Sequence, residues 1–190
     1  NFIAIDSLSY PDFKVNKNLD FHIAPQATKF YGEVINTAND AGITTRKSSG
    51  DKYHSSVDLF EAFASGNRGG IKYKLGRQTL GYGDNLILGT RDWTAGGLSY
   101  DAVKFTFSPG GESTVDLVYA QISQGTNVEV NDDEMLTILY YKVLTEENSS
   151  LDIYAFNNDN QANKTNIFNI GFRLKGKFNK LDYRSENIAQ

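Results

Sequence analysis

The sequence predicts an all-β protein, an antiparallel up-and-down transmembrane β-barrel. Three observations carry that expectation. Apolar and polar residues alternate with period two over runs of about ten residues, turn-forming residues separate the runs, and aromatic residues gather near run ends. Phe (12) and Tyr (11) supply nearly all the aromatic residues, and one Met with no Cys fits strands better than a helix bundle. No run of about 18 apolar residues occurs, so a transmembrane helix is excluded. A barrel is not, because its strands need only roughly 9–11 residues with every second side chain apolar. The mean hydropathy of −0.44 is therefore compatible with a membrane location.

Taken in chain order, residues 1–10 and 19–24 are weak strand candidates, and residues 29–37, 56–64 and 71–80 are stronger ones. Residues 38–53 are polar and rich in Gly, Ser and Asn, and read as a surface loop. The second half is more regular. Val103, Phe105 and Phe107 oppose Ala102, Lys104 and Thr106; Val115, Leu117 and Tyr119 oppose Thr114, Asp116 and Val118. Leu136, Ile138 and Tyr140 oppose Thr137, Leu139 and Tyr141, with the first set expected on the apolar face. Leu151, Ile153 and Ala155 oppose Asp152, Tyr154 and Phe156. Phe168, Ile170, Phe172 and Leu174 oppose Ile167, Asn169, Gly171, Arg173 and Lys175, and a last strand begins near Lys180. Turn signals fall at residues 108–111, 124–133, 146–150, 157–165 and 176–179. Roughly nine to eleven strands result.

Period-two alternation also suits a soluble sandwich. Residues 99–107 and 166–175 approach the length that crosses a bilayer. The polar face carries Lys104, Asp116, Asp152 and Arg173 inside strands, where a water-filled lumen keeps charges hydrated. Tyr100, Phe107, Tyr140, Tyr141, Tyr154, Phe156, Phe178 and Tyr183 lie where interfacial girdles belong. The alternatives are a secreted β-sandwich that binds carbohydrate, which would need no detergent, and a non-conducting structural or adhesin barrel.

Other function classes fit poorly. The net charge is −4 and no basic block occurs, so nucleic acid is not an expected partner. Absent cysteine removes disulfides and thiolate metal sites. His22 and His54 are far apart and share no ligand pattern, so both are expected as surface or loop residues. No nucleophile elbow or phosphate loop occurs. The oxygen-rich stretches 131–134 and 157–160 lack calcium-loop spacing and are expected in solvated hairpin loops. Neither enzymatic activity, a cofactor nor a metal is expected.

Residues 73–107 carry a more specific signal. Gly76-Arg77-Gln78, Tyr82-Gly83-Asp84, Asp92-Trp93 and Tyr100-Asp101-Ala102-Val103-Lys104 resemble, in order and spacing, a signature of the alginate-export family of outer-membrane β-barrels. The resemblance implies a bacterial outer-membrane location and a barrel of about eighteen strands. It also implies contact with lipid and lipopolysaccharide outside and hydrophilic solutes or oligosaccharides inside. Two positions where the family often carries Arg hold Leu86 and Leu98 here.

Arg77 shares parity with Ile71, Tyr73 and Leu75, so either Arg77 sits at the rim or, as the glycine favours, a bulge at Gly76 is expected to flip it into the pore, to pair with Asp84 or Asp101. The glycine-rich loop at 81–97 is expected to fold inward or cap the barrel, anchored by Trp93. The pore-lining or loop-constriction candidates are Arg77, Arg91, Lys104, Arg173 and Lys175, opposed by Asp84, Asp92, Asp101, Asp116 and Asp152. Residues 1–190 are read as one barrel domain. They end inside a strand pattern at Ile188-Ala189-Gln190, without a terminal aromatic, so further strands are expected outside them. The residues leave monomer and homo-oligomer open. The working function is passive diffusion of hydrophilic solutes.

Overall fold

The computed structural model describes residues 2–7, 13–16, 18–31, 53–85, 88–90, 97–123, 133–146 and 149–190. The strands are β1 (Phe2–Ser7), β2 (Phe13–Asn16), β3 (Leu19–Tyr31), β4 (Tyr53–Arg68), β5 (Ile71–Gln78) and β6 (Tyr100–Gly110). They continue with β7 (Ser113–Ser123), β8 (Glu134–Glu146), β9 (Ser149–Asn160), β10 (Thr165–Phe178) and β11 (Leu181–Ala189). All lie in one antiparallel sheet in the order β1-β3-β4-β5-β6-β7-β8-β9-β10-β11, with β2 also paired to β3. β1 pairs with residues 26–31 and β2 with residues 19–21, so the two share one edge of β3. This is the all-β, up-and-down order of a barrel wall. The sheet is open, with β1 and β2 at one edge and β11 at the other.

The connections differ between the two ends. At one end Gly69-Gly70, Gly111-Glu112 and Asn179-Lys180 close hairpins, with Gly69, Gly70, Gly111 and Asn179 at positive φ. At the other end β3–β4, β5–β6 and β7–β8 are joined by longer stretches, and β9–β10 by residues 161–164. Short turns at one end and longer loops at the other are the asymmetry of outer-membrane barrels.

Several boundaries differ from the sequence reading. Residues 19–24 and 29–31 belong to one strand, which passes Pro25 through a bulge between Ala24 and Pro25. A bulge is where a sheet can lose the N–H that proline lacks. Residues 157–160, read as loop, complete β9. Asn158 Nδ2 donates to Glu134 Oε1 across the strand pair at 2.8 Å, so polar side chains extend the ladder instead of breaking it. Residues 176–178 likewise complete β10. Residues 32–37 of an expected strand and residues 38–52 of the expected loop lie outside the described residues.

The register divides the sheet into two faces. One face is apolar and exposed. Tyr73, Phe105, Leu117, Leu139, Ala155 and Ile170 form a continuous cross-strand row on it. The next row toward the short turns holds Phe107, Val115, Tyr141, Ile153 and Phe172. Toward the long loops the face turns polar, through Thr137 and Asn157 to a row of Arg77, Asp101, Gln121, Met135, Asp159 and Asn166. Leu117, Leu139, Phe168, Ile170 and Phe172 are all exposed, and nothing packs over them among the described residues. The opposite face is covered by the chain that leaves β5. Leu80 and Tyr82 fold back onto it and pack with Ala102, Val118, Ala120, Leu136, Ile138 and Tyr140.

That covering reverses the assignment of β8. Leu136, Ile138 and Tyr140, expected on the lipid-type face, are buried on the loop-covered face, while Leu139 is 50% exposed on the apolar one. Both sides of β8 are apolar, one for the exposed band and one for the loop. Hydropathy alone cannot rank two apolar sides.

Candidate functional site

The site is built on the loop-covered face, where strand pairing sets charged side chains side by side. One cross-strand row runs Thr114, Lys142, Asp152, Arg173, Glu186 and carries charges of alternating sign. Opposite charges directly across a strand pair are attractive. The row beside it runs Lys72, Thr106, Asp116, Tyr140, Tyr154, Gly171. Tyr140 and Tyr154 stack with centroids 5.6 Å apart, and the Tyr154 ring lies over Gly171, which leaves it room by having no side chain.

Asp152 is 1% exposed. Its Oδ2 accepts from Arg173 Nη1 at 2.9 Å and from Tyr140 OH at 2.7 Å. Arg173 is likewise buried and turns its other edge to the loop: Nη2 meets Asp84 Oδ1 at 2.7 Å and Nε meets Asp84 Oδ2 at 3.2 Å. This two-point grip is the strong geometry for a guanidinium and a carboxylate. Arg184 Nη1 from β11 joins Asp84 Oδ2 at 2.8 Å. A second charged knot lies two strands away. Asp116 accepts from Lys104 Nζ at 2.6 Å, Thr106 Oγ1 at 2.6 Å and Tyr82 OH at 3.1 Å. Tyr82, Lys104, Asp116, Tyr140, Lys142 and Arg173 border a cavity of about 250 Å³ between the two knots.

The three residues of Tyr82-Gly83-Asp84 therefore have separate roles. Tyr82 is buried, with its ring tilted against that of Tyr140 at a centroid distance of 4.5 Å. Burial, with the Asp116 carboxylate beside it, pushes its phenol well above the ordinary range, so it remains a donor. Gly83 has φ +61°, and a Cβ there would sit 3.0 Å from Arg173 Cδ. Glycine allows both the left-handed backbone and the close approach. Hydrogen bonding from Arg173 holds the Asp84 carboxyl below the ordinary carboxylate range. The Asp84 contacts thus contribute in full above that range and are lost only as pH falls through the depressed value.

The Gly76-Arg77-Gln78 segment pairs in register with Tyr100-Asp101-Ala102. Gln78 is 0% exposed, and its Nε2 donates to the carbonyls of Ala102 (3.0 Å), Gly76 (3.1 Å) and Lys74 (3.3 Å). Replacing Gln78 with Leu removes all three bonds, of which the one to the Ala102 carbonyl is buried. A loss of about 1–3 kcal/mol is expected in urea unfolding, with the Thr79 side of the loop opening first under hydrogen exchange.

The expected flip at Gly76 does not occur. Gly76 has φ +120°, yet β5 pairs with β4 and β6 without a register shift. Arg77 stays on the parity of Leu75 and Val103, and grips Asp101 at 2.7 and 2.9 Å on that same face. The row in which they sit is the polar one beside the long loops, so the pair occupies the rim alternative and not mid-sheet. Lys104, Asp116, Asp152, Arg173 and Lys175 lie on the loop-covered face, and Asp84 reaches it from the loop. Arg91, Asp92 and Trp93 lie outside the described residues. The described anchors of the loop are Leu80 and Tyr82. His22 and His54 lie in strands, and His22 stacks on Phe63 beside Glu61.

Sequence reading did not single out Gln78, Leu80, Tyr140, Arg184 or Glu186 as site residues. For Gln78 the signal was present, inside a quoted motif. For Arg184 it was parity opposite Leu181 and Tyr183. No local pattern marks Leu80.

No curated protein and no solved structure matches the chain. The family described as Alginate export matches residues 9–190, nearly the whole sequence. With the up-and-down sheet and the paired signature segments, this places the chain in the alginate export family, a family of outer-membrane β-barrel type.

Proposed function

We propose that this sheet is wall of a hydrated pore in the bacterial outer membrane, passing small hydrophilic solutes or oligosaccharides by passive diffusion. The two-faced sheet carries the reading. Its apolar face is a band of exposed Leu, Ile, Val and Phe that ends in polar rows near the long loops, as a lipid-facing surface does at the headgroup level. Its other face holds paired charges and tyrosine hydroxyls. Such groups are costly in hydrocarbon and inexpensive beside water. Lipid and lipopolysaccharide meet the first face, and solute meets the second. The pore-lining candidates on this reading are Asp84, Lys104, Asp116, Asp152, Arg173 and Lys175, while Arg77 and Asp101 hold the rim. No bond is made or broken.

Planar-bilayer recording of the intact protein tests this. Discrete conductance steps are expected, with a reversal potential near zero in a salt gradient, because the buried cations of the wall are matched by carboxylates. An intact protein that inserts and never conducts would sink the pore and leave a structural barrel.

A further inference from the structure

We propose that Asp84 is a specificity-determining residue, whose carboxylate latches the Thr79–Asn85 segment across the loop-covered face as a constriction that sets both the size limit and the charge preference of the pore. The inference rests on the pore reading above and deepens it.

The reach of the segment is the first argument. The chain leaves β5 at Gln78, and Asp84 touches β10 and β11. β10 is five inter-strand steps from β5 in the sheet order. At about 4.8 Å per step that is roughly 24 Å along the wall. Six residues extend to at most about 20 Å, and this stretch contains a turn in which Asn85 N donates to Tyr82 O at 3.0 Å. The Asp84 and Arg173 side chains close the remaining distance, so the segment runs across the loop-covered face from β5 to β10. A segment laid across that face narrows whatever passes along it.

The tethers are the second argument. At the root, Thr79 N and Oγ1 both donate to Glu61 Oε1 at 3.0 Å. In the middle, Tyr82 is buried against Tyr140 and donates to Asp116. At the tip the grip is made of charge-assisted hydrogen bonds and ion pairs, Asp84 between Arg173 and Arg184. Removing one charge there frees the tip while both other tethers stay.

Local charge is the third argument. Lys175 and Arg184 face each other across β10 and β11, and Arg173 lies one row away. Asp84 is the carboxylate that the loop brings to this cationic group, and all three cations bear on it. Without its charge, Arg184 and Lys175 present a positive surface at the tip of the segment.

The test is Asp84→Asn in the intact protein. Single-channel conductance is expected to rise on the order of two-fold, and the reversal potential to move toward the anion. Hydrogen exchange at the Tyr82 and Asn85 amides, which donate to Leu88 O and Tyr82 O, is expected to accelerate in detergent. Asp84→Glu keeps the carboxylate and should return all three toward wild type. If the wild-type protein conducts and Asp84→Asn changes neither current nor exchange, the latch is overturned. Faster exchange with unchanged conductance and reversal potential overturns the constriction. If neither protein passes current while exchange still accelerates, the pore reading itself has failed, and the constriction with it.

Discussion

Replacing Arg173 with methionine is expected to cost about 3–5 kcal/mol of stability. The guanidinium is the common partner of Asp152, which is 1% exposed, and of Asp84 in the loop. Asp152 Oδ1 makes no hydrogen bond among the described residues, so without Arg173 the carboxylate keeps only the Tyr140 hydroxyl. Methionine fills similar volume, which isolates loss of charge from loss of packing. Most of the penalty comes from the carboxylate left behind and not from the bridge itself. Adding Asp152→Asn to Arg173→Met should therefore recover a large part of the loss, because a neutral amide is less costly to bury. Urea unfolding in lipid vesicles measures both. A double variant no more stable than the single one would show that Arg173 acts through Asp84 instead.

Leu139→Arg is the second large effect, expected at about 2–4 kcal/mol in a bilayer. Leu139 sits in the middle apolar row, flanked by Leu117 and Ala155, and is 50% exposed. On a water-facing surface the same change would fall within about 0.5 kcal/mol. Thr137→Arg, one row nearer the long loops and opposite Asn157, is expected to cost only about 0–1 kcal/mol, as for a residue near the interface. The pair of variants measures depth. Equal, small costs at both positions would mean that the apolar face does not meet hydrocarbon.

Much of this protein was legible in its sequence. Alternation such as Phe168, Ile170, Phe172, Leu174 against Asn169, Gly171, Arg173 needs only the period of a strand, and β6, β7, β9 and β10 present the expected faces. The signature around Gly76, Tyr82 and Tyr100 gave the family. The reversal in β8 has a non-local cause: Leu136 and Ile138 answer to Leu80 and Tyr82, which are distant in the chain. The Arg77 misplacement has a local one. Glycine in a strand was read as a bulge, whereas Gly76 accommodates a positive φ and the ladder runs on through it.

Composition and period thus determined the class, the strands and the existence of an apolar and a polar side, because each depends on residues within one strand. Only the tertiary structure decided which carboxylate meets which cation. Asp101 took Arg77, while Asp84, 89 residues before Arg173, took that guanidinium together with Arg184. Those choices follow from the register of neighbouring strands and from the path of one connecting segment. A one-residue shift in either would send the same charges to the opposite face.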